Sequence, residues 1–167
     1  IIIAGRPGMG KTSLATNIAF NIANACKRHD NSQENEGGIV GFFSLEMSTE
    51  QLATRIISEQ IKVSSSDMRR GNISEEQFTN IIYAMRSLQT IPLYIDQTGG
   101  VSLAQLSARA RRLKRQHGLD VLIIDYIQLM TSGSKRSLEN RVQEITAITT
   151  GLKALAKELN IPIIALS

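Results

Sequence analysis

Along the chain, short continuous apolar runs alternate with longer stretches in which apolar residues recur every three or four positions. Continuous runs rich in β-branched and aromatic residues suit strands buried on both faces, and the 3.6-residue period suits helices packed on one side. The runs predict five strands, at Ile1–Ala4, Ile39–Leu45, Ile91–Ile95, Val121–Asp125 and Ile161–Leu166. Helices fill the intervals, so the expected fold is α/β, with a mostly parallel twisted sheet and helices on both faces.

The first helix is expected to begin near Gly10 and to face the core with Leu14, Ile18, Ile22 and Ala25. A polar stretch, "DNSQENEGG", lies between it and the second strand. Three later helices begin with a hydroxyl followed three residues on by an amide: Ser48 with Gln51, Ser74 with Gln77, and Ser102 with Gln105. That spacing is the reciprocal capping box. A last helix, about residues 138–159, carries Val142, Ile145, Ile148, Leu152, Leu155 and Leu159 along one face. No internal repeat or low-complexity tract interrupts the pattern.

Composition narrows the picture. At 167 residues and 42% hydrophobic content, the chain suits one domain that buries roughly 70% of its unfolded surface. Nineteen Lys and Arg against fifteen Asp and Glu leave a net charge of +4 and a pI near 9.5. That balance permits a nucleic-acid partner and equally fits ordinary solubility charge. The single Cys26 cannot close an internal disulfide, and with only His29 and His117 it cannot complete a structural zinc site. A reducing, cytoplasmic setting is expected, and no apolar run approaches the roughly 18 residues of a membrane span. "IIIAG" opens inside a predicted strand and "IPIIALS" stops inside another, so the chain reads as an excerpt of a longer one, with residues 1–167 forming one domain truncated at both ends.

Candidate chemistry starts at "GRPGMGKT", Gly5–Thr12, which fits G-x-x-x-x-G-K-[ST] between a strand and a helix. Glycines at 5, 8 and 10 let successive backbone N–H groups converge on phosphate oxygens, and the helix N-terminus adds partial positive charge. Gly5, Arg6, Pro7, Gly8, Met9, Gly10, Lys11, Thr12 and Ser13 are therefore the expected nucleotide-binding residues. Lys11 would neutralise the β- and γ-phosphates, and the Thr12 hydroxyl would complete Mg2+ coordination. The alternative is a purely structural glycine turn before a helix.

A second anchor for a magnesium nucleotide is available in "LDVLIIDYIQLM", an apolar strand closing on Asp125, which resembles a Walker B element. An acid at the carboxyl end of a parallel strand points into the crevice where such sheets bind ligands. "GIVGFFSLEMSTEQ" places another acid, Glu46, just after a buried run. If the two strands are neighbours, Asp125 holds the metal while Glu46 is free to orient a water against the γ-phosphate. Competing roles for Glu46 are capping the following helix or pairing with Arg55.

Two basic features invite a nucleic-acid reading. Five of the seven residues in "RARRLKR", Arg109–Arg115, are cationic, but Leu103, Leu106, Ala110 and Leu113 give that helix an apolar face, and the charge reads first as its solvated side. The segment "TSGSKRS" follows the Asp125 strand, so Lys135 and Arg136 are the DNA-binding candidates. With three Tyr, four Phe and no Trp, base-stacking platforms are not expected, and backbone tracking is.

Taken in order, "GRPGMGKT", "FFSLEMS", "RRGNISEEQF", "IPLYIDQTGGVSLAQLSARARRLKRQHGLDVLIIDYIQLM" and "LKALAKELNIPIIALS" resemble the C-terminal, RecA-like P-loop motor domain of hexameric replicative DNA helicases of the DnaB type, over essentially the whole chain. The resemblance implies ATP and Mg2+ as cofactors, Glu46 as the base, and Lys11, Thr12 and Asp125 in the roles above. It further implies a homo-hexameric ring around single-stranded or forked DNA, with a primase and a helicase loader as partners and no membrane. An arginine finger from the neighbouring subunit and a glutamine coupling nucleotide to DNA are expected beyond Ser167, as are a collar and linker helix before Ile1, so the excerpt alone is expected to hydrolyse ATP weakly. Gln97, Gly99 and Thr150 depart from the family's pattern. Two alternatives share the fold: a RecA-like recombination or filament module, and a loader-type ATPase.

Overall fold

A computed structural model describes residues 1–28, 37–130 and 141–167. Five strands form one sheet: β1 (Ile2–Ile3), β2 (Val40–Ser44), β3 (Leu93–Asp96), β4 (Val121–Asp125) and β5 (Ile163–Leu166). Their order across the sheet is β1-β5-β4-β2-β3, and every pairing is parallel. The helices are α1 (Lys11–Arg28), α2 (Thr49–Ile61), α3 (Ser65–Arg70), α4 (Glu75–Thr90), α5 (Leu103–His117) and α6 (Arg141–Leu159). A 3-10 turn, Ile127–Leu129, follows β4.

Strand alternation sorts the core into two layers. Phe43, Leu122, Ile124, Ile163 and Ala165 pack with Leu106 and Ala110 of α5 and Ile148, Leu152 and Leu155 of α6. Phe42, Ile123, Ile164 and Leu166 face the other way, onto Ala15, Ala19 and Phe20 of α1 and Leu52 and Ile56 of α2. Helices therefore cover both faces, as continuous apolar strands require.

Several packing expectations are corrected. In α1 the core-facing stripe is Ala15, Ala19 and Ala23 with Phe20, whereas Leu14 is 52% exposed. Small side chains at i, i+4 and i+8 let the helix lie close to the sheet, and the predicted Ile18 and Ile22 only flank that contact. In α6 the predicted face holds from Ile145 to Leu159, but Val142, one turn earlier, is 79% exposed. β1 is an edge strand paired only with β5, so Ile1 and Ile2 are exposed instead of buried. β3 begins at Leu93, because Ile91 serves as the extended C-cap of α4. The short α3 carried no apolar period to announce it and buries no residue. No helix among the described residues is long and apolar enough to cross a membrane.

All three capping boxes form with both reciprocal bonds. The box of Ser48 and Gln51 has a particular duty, since it starts α2 two residues after Glu46. Ser48→Ala is expected to cost about 1 kcal/mol of stability in urea denaturation. An unchanged midpoint would show that packing of Leu52 and Ile56 alone holds the helix start.

Candidate functional site

The site lies at the carboxyl edge of the sheet, in a cavity of about 830 Å³. All nine residues expected to bind nucleotide, Gly5 through Ser13, line it together with Glu46 and Asp125. The loop is tied to the sheet at its entry, where the Gly5 N–H donates to the Ser167 carbonyl at 3.1 Å, and runs into α1 with Leu14 N–H donating to Gly10 O at 2.9 Å. Gly8 and Gly10 sit at φ +80° and +85°, in the left-handed region where a side chain would strain the backbone. The Lys11 ammonium lies over the loop it would serve, donating to the carbonyls of Gly5 and Arg6.

The two acids come together because β2 and β4 are neighbours. Ser44 is registered opposite Asp125, and the Leu45 N–H donates to the Asp125 carbonyl at 2.7 Å. The buried Ser44 hydroxyl then folds the turn: it accepts from Met47 N–H at 3.2 Å and donates to Met47 O at 2.7 Å. Glu46 sits at the apex of that turn and is exposed to the cavity. The cap of α2 is supplied by Ser48, with Glu50 the acid of its first turn, so capping does not employ Glu46. Nor does Arg55 turn to it alone, since Arg55 Nη1 donates to Ser13 Oγ at 3.4 Å.

Asp125 is 1% exposed, and its Oδ2 has no hydrogen-bond partner among the described residues. Burial pushes its carboxyl above the ordinary carboxylate value. A hydrogen bond with Thr12 and the charges of Arg55 and Lys11 pull the other way, while Glu46 adds to the rise. A buried carboxylate oxygen without a partner is costly unless a cation meets it. The Thr12 hydroxyl beside Asp125 therefore forms with it an oxygen donor set suited to magnesium, which takes one or two protein oxygens and completes its shell with water and phosphate. Among the described residues no three His, Cys, Asp or Glu side chains gather into a self-sufficient metal cage. A second cavity, of about 570 Å³ between β1 and α6, has no acidic residue in its lining.

Sequence reasoning did not place Gln51, Arg55, Tyr126, Gln128 or Ser167 in the cavity, though all line it. Gln51 and Arg55 carried a usable signal: they are four residues apart on α2, hence on one face, directly after the Glu46 turn. Gln128 and Ser167 carried none, because their meeting depends on the sheet order.

The basic helix resolves as expected. Leu106 and Ala110 of α5 are buried. Arg109 donates to both Asp96 carboxylate oxygens and to Thr98, Arg111 to Glu158, and Lys114 to the Leu119 carbonyl. Burial pushes the Asp96 carboxyl up, but hydrogen bonds with Thr98 and Arg109 outweigh it and hold the group below its ordinary value. Gln97, one of the departures from the family pattern, accepts the Thr49 N–H at 2.7 Å. Lys135 and Arg136 lie outside the described residues.

Comparison with known proteins covers the whole chain. The family described as DnaB-like helicase C terminal domain matches residues 1–167. The replicative DNA helicase DnaB of Rickettsia typhi is 48% identical over 167 residues, all of this chain and 33% of that protein. The replicative DNA helicase DnaC of Bacillus subtilis is 42% identical over 167 residues, 34% of its length. The chain thus spans about a third of the length of these relatives. Among solved structures, one described as an ATPase domain superposes with a TM-score of 0.83 at 27% identity, covering 99% of this chain and 55% of that one. A DnaB-like replicative helicase, whose structure describes its interactions with primase, superposes at 0.78 and 28% identity, covering 99% and 38%.

Proposed function

This chain belongs to the DnaB-like helicase C-terminal domain family, and on that premise we propose that it is the ATP-driven motor of a replicative DNA helicase. The observation that carries this reading is the meeting of Glu46, Asp125 and the Lys11 loop around one cavity at the carboxyl edge of the sheet. In this reading the loop N–H groups and Lys11 hold the triphosphate, and Thr12 and Asp125 hold magnesium. When bound, the metal neutralises charge on the β- and γ-phosphate oxygens. Glu46 orients a water and takes its proton as the water oxygen bonds to the γ-phosphorus. The bond from that phosphorus to the bridging oxygen breaks, and ADP leaves with the electron pair.

Residues 1–167 are proposed as one RecA-like ATPase domain, working as part of a homo-hexamer on single-stranded or forked DNA in the cytoplasm. The likeness to a helicase solved for its interactions with primase makes primase the first protein partner to test, with a loader next. The DNA contacts proposed for Lys135 and Arg136 are to phosphates, without base readout.

The test is ATP-dependent unwinding of a forked duplex by the full-length polypeptide containing this chain, beside its Lys11→Ala variant. Unwinding by the wild type and none by the variant is the expected result. ATP binding without unwinding, by an intact oligomer loaded on a fork, would move the assignment to a switch or loader.

A further inference from the structure

We infer that Gln128 and Ser167 form a positioning pair that sets the spacing between the two halves of the nucleotide site, the glycine loop on one side and Asp125 on the other. The inference rests on the ATPase reading above.

The sheet order places β5 between β1, which feeds the loop, and β4, which ends on Asp125. Towards β4 the backbone ladder pairs Leu122 with Ile163, Ile123 with Ile164 and Ile124 with Ala165, and goes no further. Asp125 lies one residue past the last pair. On its other side it is registered against Ser44 of β2, but the backbone ladder does not fix its distance to the loop.

Ser167 spans that gap. Its backbone belongs to the loop side: Ser167 N–H donates to Ile3 O at 3.0 Å, and Gly5 N–H donates to Ser167 O at 3.1 Å. Its side chain belongs to the other side, because Gln128 Nε2 donates to Ser167 Oγ at 2.6 Å. Gln128 is itself fixed relative to Asp125. It sits in the 3-10 turn that starts two residues later, closed by Leu129 N–H to Tyr126 O and Met130 N–H to Ile127 O, both at 3.1 Å. Buried Ile127 and Met130 anchor that turn in the core. Beside the direct hydrogen bond between Thr12 and Asp125, whose oxygens would turn to the metal, the connection from Asp125 to the loop therefore runs through the Gln128–Ser167 hydrogen bond, between two residues that both line the cavity.

Spacing matters here because magnesium demands near-ideal octahedral geometry and would take oxygens from both halves, Thr12 and Asp125. A looser gap leaves the loop able to hold phosphate while the metal geometry suffers. Gln128 and Ser167 are positioning residues: their effect passes through Asp125 and the loop.

The experiment uses the full-length polypeptide with Gln128→Ala, Ser167→Ala and the double variant. It measures ATP turnover against Mg2+ concentration, and ADP affinity in EDTA. Each single variant is expected to lower kcat about tenfold and to raise the Mg2+ concentration at half-maximal rate, with ADP affinity in EDTA unchanged. The double variant should be no worse than the poorer single one, since the bond between Gln128 and Ser167 is lost in all three. Single variants with wild-type kcat and Mg2+ dependence, or effects that multiply in the double variant, would overturn the inference. Should Gln128→Ala fail to fold, Ser167→Ala, which removes one oxygen and keeps both backbone bonds, carries the test through its Mg2+ dependence. Failure of the ATPase reading is separate: it appears as a wild type that does not hydrolyse ATP at any Mg2+ concentration.

Discussion

Glu46→Gln is expected to bind ATP as the wild type does and to lose about 10²–10⁴-fold in turnover, the usual contribution of a positioned general base. The amide keeps the size of the carboxylate and its place at the apex of the turn, which is built by Ser44 and Met47 and not by Glu46 itself. What it loses is the ability to accept a proton. In the proposed reading the nucleotide is held from the other side of the cavity, which Gly5 to Ser13 line, so affinity should not move. Equilibrium binding of a fluorescent ATP analogue, with phosphate release measured on the same full-length samples, separates the two effects. Hydrolysis within a few fold of wild type would place the base elsewhere, and Glu46 would then be an exposed acid held near the site by the register of its strand.

Asp125→Asn should behave in a way that a surface acid never does: the nucleotide-free protein in EDTA becomes more heat-stable at neutral pH, while Mg-ATP ceases to stabilise it. Burial raises the Asp125 carboxyl above its usual value of 3.8. Above that raised value the folded protein holds a charge that the unfolded chain carries more comfortably. The unfolded state then binds fewer protons than the folded one across the window between the two values, so stability falls as pH rises through it. Asparagine removes the charge and with it this penalty. The gap in melting temperature between variant and wild type should narrow as pH falls towards 3.8, where Asp125 is increasingly neutral in both states. With Mg-ATP the order reverses. A ligand at about 100 times its Kd adds about 2.7 kcal/mol to the wild type, and the variant, lacking the anionic oxygen at Oδ2, gains little of it. Thermal melts with and without Mg-ATP across that pH range decide the matter. A variant less stable than wild type in EDTA would mean that Asp125 is held by protein contacts and is not kept for a cation.

Much of the site could be read in the order of residues because its chemistry is local. The glycine loop with Lys11 and Thr12 is eight consecutive residues, and its function depends on their backbone freedom and spacing. Strand ends are local too, so Asp125 and Glu46 stood out as acids closing apolar runs. The helix starts at Ser48, Ser74 and Ser102 were legible for the same reason, since a capping box spans only four residues. Burial was less legible. Leu14, Val142, Ile1 and Ile2 are apolar and correctly spaced, yet exposed, because exposure depends on what lies opposite. In α1 the choice fell on Ala15, Ala19 and Ala23, whose small size permits close approach to the sheet.

By itself the sequence determined the strands, the longer helices, three helix caps, the glycine loop and the identity of the two acids. It did so because each is specified by neighbours within a few positions. Only the tertiary structure decided that β2 lies beside β4, bringing Ser44 against the distant Asp125, and that β5 separates β4 from β1. Strand order depends on pairing and packing across the whole chain, which no local spacing encodes. That order brings Glu46 and Asp125 to one cavity and leaves the gap that Gln128 and Ser167 bridge.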